Sequence, residues 1–259
     1  MTNSPQHIYS MPSSKPDLLV DHGNSRIKWA LSGSGTWTSG NPIGVRGEET
    51  DYSPLRGIEA PRRIFASNSA GPQALACLED FCKSQWDLKP KMLCTKAAQC
   101  DVTNSYADPD SLGSDRWLAM IAARQFCEGP LAVIDFGTAI TCDALSAEGV
   151  FLGGVISAGP EAAAQALLSK AAHLDLDEIR YTGVFNTDTS SAVGSGSLVF
   201  AVGGIEKVLT EFQAKLGGEF QVLTTGGWAE TLTPLMTVNA VVHPDLVLKG
   251  IQVIAGQEA

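Results

Sequence analysis

The chain has 259 residues, 44% of them hydrophobic, enough to bury one large core or the cores of two smaller lobes. Its formal net charge is −10 and no block of Lys and Arg stands out. That argues against nucleic acid or an anionic membrane as the main partner, because such contacts need clustered cations.

Residues 1–17 are polar, contain Pro and Ser, and lack an apolar stretch, so they read as a disordered extension with an alternative start at Met11. Runs 18–20 and 27–31 read as the two strands of a hairpin. A short strand follows at 63–66, then a Ser-Asn-Ser-Ala-Gly-Pro loop, a helix over 73–85 with apolar residues at helical spacing, and a strand at 91–93. Ser114–Phe126 predicts a helix capped by Ser114, with Leu118, Ile121, Ala122 and Phe126 on one face. A lobe boundary falls near Gly129-Pro130, dividing the chain into 18–128 and 129–259.

The second half then repeats the order of the first. Strands are predicted at 133–135, Ala139–Leu145 and 150–156, followed by Gly159-Pro160-Glu161 opening an Ala-rich helix. A long helix over 197–216 stops at Gly217-Gly218. A strand at 221–224 leads into a turn at Gly226-Gly227, and a last apolar segment covers 247–254. No run reaches the eighteen or so apolar residues of a membrane span. The six cysteines form no C-x-x-C pair and stand beside no histidine at zinc spacing. With no secretory segment they read as free thiols of a cytoplasmic protein.

One motif occurs twice. Leu18-Leu19-Val20-Asp21-His22-Gly23-Asn24-Ser25 and Ala132-Val133-Ile134-Asp135-Phe136-Gly137-Thr138-Ala139 are both apolar runs ending in Asp-x-Gly. Each predicts a buried strand breaking into a tight turn. The Gly lets backbone approach a ligand, while turn amides and hydroxyls suit phosphate oxygens. The acid suits a hard cation riding on those phosphates. Two such turns suggest a duplicated fold facing itself across a nucleotide cleft. No P-loop, no G-x-G-x-x-G and no H-E-x-x-H competes with this reading. His22 either points into the cleft or is a locally bonded loop residue. Lys28 is either a phosphate contact or a strand-end charge.

Between the turns, the loop from Asn104 to Trp117 delivers Gly113-Ser114-Asp115-Arg116 to a helix start. Asp115 there is either a first-turn acid favoured by the helix dipole or a general base. Arg116 lies either in solvent or as a bidentate clamp on a substrate carboxylate. With this loop, the segment Asp21 to Trp29, the Asp135–Ala139 turn and Gly226-Gly227 all in order, the chain resembles the type III pantothenate kinases, the group that includes proteins named Bvg accessory factors.

The resemblance covers about residues 18 to 255. It implies an α/β, duplicated ribonuclease-H-like fold of the acetate and sugar kinase/Hsp70/actin type, with two lobes of mixed sheet flanked by helices. It implies ATP-dependent phosphorylation of pantothenate to 4'-phosphopantothenate, the first step of coenzyme A synthesis, by a homodimer using Mg2+ or a similar divalent cation and K+ or NH4+. Asp21, His22, Gly23, Asn24, Ser25, Arg26, Ile27 and Lys28 would form the first phosphate segment, with Asp21 positioning the divalent ion directly or through water. Tyr106, Gly113, Ser114, Asp115 and Arg116 would form the pantothenate site, with Asp115 as proton acceptor. Asp135 would hold the monovalent cation and Thr138 would contact nucleotide. Thr189, with Thr187 as the competing alignment, would contact substrate, and Gly226 and Gly227 would lie beside the adenosine. The alternative is a non-catalytic nucleotide-binding accessory protein of the same fold. His22 departs from the small apolar residue expected between Asp and Gly.

Overall fold

The first strand, β1 (Asp17–His22), has an unbroken apolar run at Leu18, Leu19 and Val20 because both its faces are covered. Leu19 joins the central core between the lobes, while Leu18 and Val20 join the outer core of the first lobe. The structure, a computed structural model, describes residues 15–33, 35–46, 50–170, 176 and 178–258. Residues 1–14 of the expected extension lie outside the described residues. Asp17 is already part of β1 and buried, held by Arg62 and Arg63.

In chain order β2 (Arg26–Gly33), β3 (Thr36–Ser39), β4 (Ile43–Gly44), α1 (Ser53–Arg56), β5 (Ile64–Asn68), α2 (Pro72–Trp86) and β6 (Lys91–Met92) complete the first lobe. Then come β7 (Ala98–Gln99), β8 (Val102–Asn104) and α3 (Ser114–Phe126). The second half contains β9 (Leu131–Phe136), β10 (Ala139–Leu145), β11 (Val150–Ala158), α4 (Pro160–Leu168), α5 (Thr189–Leu216), β12 (Gln221–Thr225), α6 (Ala229–Leu232), β13 (Val241–Val242) and α7 (Leu246–Gln257).

The first sheet runs β3-β2-β1-β5-β6, and the second contains β11-β10-β9-β12-β13. In each, three strands form an antiparallel meander, and two more add in parallel beside the first of them. This is the duplicated α/β fold that the repeat predicts. The halves also exchange elements. The β7-β8 ribbon, from the first half of the chain, extends the second sheet beside β11. Helix α7, from the end, packs against α3 and the first sheet.

The closing helices of the two halves, α3 and α7, pack together in the central core. Their approach is close enough that a Cβ on Gly250 would collide with the Leu118 backbone. Helix α5 buries Leu198, Val202, Ile205 and Leu209 in the outer core of the second lobe. It also corrects the sequence expectation about apolar runs. Its 28 residues include an 18-residue window of mean hydropathy 1.4, long and apolar enough to cross a membrane, although a third of that window is buried in the protein. The six cysteines are all free, as expected.

Candidate active site

Strand alternation decides which residues of each repeat meet. On β9, Leu131 and Val133 face the central core, whereas Ala132, Ile134 and Phe136 face the outer core of the second lobe. Asp135 therefore emerges on the central side, between the lobes. Asp21 does the same on β1. Gly23 closes the first turn, its amide donating to Arg26 O at 3.1 Å. The two hairpins differ in what faces the acid across the strands: Lys28 opposite Asp21, Thr141 opposite Asp135.

Asp21, Asp135 and Asp115 line one cleft together with Gly23, Asn24, Ser25, Arg26, Lys28, Gly137, Thr138, Gly226 and Gly227. The turns meet directly, with the Ser25 and Thr138 hydroxyls hydrogen-bonded at 2.7 Å. Burial pushes the Asp21 carboxyl up to about 7; Lys28 opposes this, while Asp115 and Asp135 add to it. Burial likewise pushes Asp135 up to about 6, again against Lys28 and with Asp115 and Asp143 adding to it. Four acids, Asp21, Asp115, Asp135 and Glu161, against two cations, Arg26 and Lys28, leave the cleft short of positive charge. Lys28 also donates to Pro244 O at 2.9 Å, so it belongs to the cleft wall rather than to an open strand end.

Gly226 carries the end of β12 over the second turn with φ +99°. A side chain there would run into the Asp135 carboxylate and the Phe136 carbonyl, so the position combines left-handed backbone with close approach. The amide of Gly159, at the start of α4, donates to Thr138 O at 2.9 Å, which seats a helix N-terminus against the second turn. Beyond Trp228 a cavity of about 630 Å³ opens between α4, the segment around Arg180 and Tyr181, and Thr231.

On the other side of the cleft, Ser114 is the first residue of α3 rather than the cap expected of it; Gly113 holds the cap position with no side-chain bond, and the Ser114 hydroxyl instead meets that of Ser67 at 3.1 Å. Asp115 is half-buried, and its Oδ1 accepts the Arg116 backbone amide at 2.8 Å. Arg116 is in neither place foreseen for it. It is buried, its Nε donates to Asp143 Oδ2 at 2.9 Å, and its Nη2 is paired with Asp143 Oδ1. The fork expected to grip a substrate is thus already closed on a carboxylate. Nη1 donates to the Tyr106 hydroxyl at 3.0 Å, and the guanidinium lies over the Phe151 ring. Burial alone pushes Asp143 up, but the two-point contact answers it, and Arg does not give up its proton. The pair is an ion pair.

His22 and Ile27 do not present side chains to the cleft; both are buried in the first lobe. His22 occupies the position that Phe136 holds in the second repeat, so alternation sends it outward from Asp21. Its Nε2 and the Tyr52 hydroxyl are hydrogen-bonded at 3.2 Å, and burial holds its pKa below the ordinary value. Thr189 opens α5, is exposed, and is not among the residues lining the cleft. Asp143, Thr141, Ser69 and Trp228 are cleft or near-cleft residues that the motifs did not single out. Thr141 was findable by overlaying the hairpins, since it stands where Lys28 stands.

A family model for type III pantothenate kinases matches residues 17–211. The chain is 35% identical to a type III pantothenate kinase of Paraburkholderia phymatum over 94% of its own length and 96% of the relative's. It is 33% identical to one from Nitrosococcus oceani over 92% and 93%. The chain belongs to the type III pantothenate kinase family.

Solved structures extend the likeness in fold alone. A Campylobacter jejuni protein named for the Baf family matches with TM-score 0.59 at 19% identity over 93% of this chain and 98% of that one. A 2-dehydro-3-deoxygalactonokinase-type protein of Sinorhizobium meliloti matches with TM-score 0.55 at 15% identity, over 93% and 98%. MreB 5 of Spiroplasma citri, solved with AMPPNP, matches with TM-score 0.51 at 9% identity, over 95% and 98%. All three share the α/β fold of two mixed sheets flanked by helices that was expected from the sequence. The matched region takes in Asp21, Asp115, Asp135 and Thr189 and stops before Gly226. A type III pantothenate kinase works with ATP and a divalent cation.

Proposed function

We infer that this chain transfers the terminal phosphoryl group of ATP to the primary hydroxyl of pantothenate, the first step of coenzyme A synthesis. The observation that carries the reading is the meeting of the two Asp-x-Gly turns at Ser25 and Thr138, with Asp115 in the same cleft. Turn amides around Gly23 and Gly137 receive the phosphates, the Gly23 amide itself being taken up by Arg26 O, with Asn24, Ser25, Arg26, Lys28 and Thr138 around them. The adenosine passes Gly226-Gly227 toward the cavity beyond Trp228.

Phosphoryl transfer has a loose, highly charged transition state, so positioning and charge neutralisation dominate. The pantothenate oxygen forms the new P–O bond, the bond from the γ-phosphorus to the ADP oxygen breaks, and the hydroxyl proton passes to Asp115.

The cleft fits cations. Among the described residues no three His, Cys, Asp or Glu side chains converge to hold an ion by themselves. Asp21 alone, with phosphate oxygens and water, suits a divalent ion of the Mg2+ type, which keeps much of its water. Bound there, the ion neutralises phosphate charge. Asp135, half-buried and faced by Thr141 rather than a lysine, would hold K+ or NH4+. The protein acts as a homodimer in the cytoplasm, with Thr189 reaching pantothenate from the partner subunit.

A coupled assay of ADP release with pantothenate, run first in sodium and then in potassium or ammonium, tests this. Turnover rises at least about tenfold in the second buffers on this reading, as loss of one charge-stabilising contact typically costs that much or more. Release of no ADP under any of them would instead mark a nucleotide-binding accessory protein.

A further inference from the structure

The polar chain behind the substrate loop has a consequence for which acids this kinase accepts. Arg116 is 8% exposed and Asp143 1%, and two hydrogen bonds join them. Arg can only donate, so in the 3.0 Å contact between Nη1 and the Tyr106 hydroxyl the tyrosine oxygen accepts. The tyrosine proton is thereby left to donate elsewhere. Tyr106 itself is half-buried and leans on Phe151, with ring centroids 5.8 Å apart.

We propose that Asp143 is a positioning residue for substrate selection: it holds the Arg116 fork so that Tyr106 O–H and the outer Nη1 hydrogen, not the bidentate edge, read the carboxylate of pantothenate. The proposal rests on the placement of that carboxylate beside Tyr106 and Arg116. Arg116 and Asp143 cancel in charge, so recognition comes from directed hydrogen bonds rather than from net attraction. Directed bonds depend on geometry, and only Asp143 fixes the guanidinium plane through two bonds. A purely structural tie between α3 and β10 would contain the same ion pair, but would leave selectivity alone.

The test is the ratio of kcat/KM for pantothenate to kcat/KM for pantothenol, in which a hydroxymethyl group replaces the carboxyl group. Both values are taken on one preparation, so any unfolded fraction cancels. Asp143→Asn, which keeps size and one acceptor, lowers the ratio about tenfold or more, as does Tyr106→Phe at the exposed end of the chain. Tyr106→Phe leaves the buried ion pair intact and reads the carboxylate contact alone, while Asp143→Glu, which keeps the charge but moves the carboxylate, carries the test of Asp143 if Asp143→Asn does not fold. An unchanged ratio in the Asp143 variant, or a ratio that rises there because the arginine charge is unmasked, overturns the proposal. Arg116→Gln separates the two layers. If it also leaves the ratio unchanged, the placement of the carboxylate is wrong. If it alone collapses the ratio, only the role of Asp143 is.

Discussion

Asp21 and Asp135 each fold at the expense of stability when no cation is bound, and this gives the cleft a pH signature. Both have a folded pKa above the unfolded value of 3.8. Each therefore adds stability that is full below about pH 3.8 and lost as pH rises through about 6 for Asp135 and about 7 for Asp21. Asp135→Asn should then melt higher than the parent at pH 8 without added K+ or NH4+, with the gap closing by about pH 4.5, while losing the potassium response of turnover. Thermal melts across pH check this; a variant that melts lower at every pH would contradict it. These two acids were legible because each ends an apolar run before a Gly. Asp143 was not, since it sits inside β10 with no turn to mark it, and its partner Arg116 could as well have faced solvent. His22 was ambiguous for a different reason. Only its register, opposite Ile27 and equivalent to Phe136, sends it into the core.

Among the elements, the pairing of α3 with α7 sets the central core on which both sheets rest. Gly250 is where they cross. Gly250→Ala drives a Cβ into the Leu118 backbone and should cost about 1–3 kcal/mol. Gly256→Ala, on the same helix with nothing within 4 Å of a new Cβ, should be neutral or slightly stabilising. Melting temperatures of the two variants decide; equal effects would mean the crossing is looser than it stands here. The strands and most helices of both halves were readable from apolar runs and caps, because β1 and β9 are covered on both faces and α3 has a clear start. What local sequence does not encode is which sheet receives a strand. The β7-β8 ribbon is too short to show periodicity, and its place beside β11 is decided by tertiary pairing. The full span of α5, which begins at Thr189 rather than 197, was hidden because its first turns are Ser- and Gly-rich and weakly periodic. Its Asp188 cap, accepting from the Ser191 amide at 2.8 Å, was the signal that could have found it.

For the molecule as a whole, a net charge of −10 and an acid-lined cleft mean that bound cations supply the field the chain does not. The outer surface of the second lobe has the opposite character. Ile156 on β11, Leu167 on α4, Phe185 and Phe200 are 54–96% exposed, and in the proposed homodimer a second copy would cover such side chains. Phe200→Glu should yield a monomer in sedimentation and raise the pantothenate KM by about tenfold or more if Thr189 is supplied across that interface. A fully active monomer would remove the partner from the site. The central claim, however, is that the hydroxyl proton is taken up at Asp115, between turns that hold phosphate and cations. Single-turnover phosphorylation of pantothenate by Asp115→Asn, alongside its ATP affinity, tests it most directly. The account predicts a rate lower by about 10²–10⁴-fold with ATP binding within a few-fold of the parent. A near-parental rate would show that another group accepts the proton.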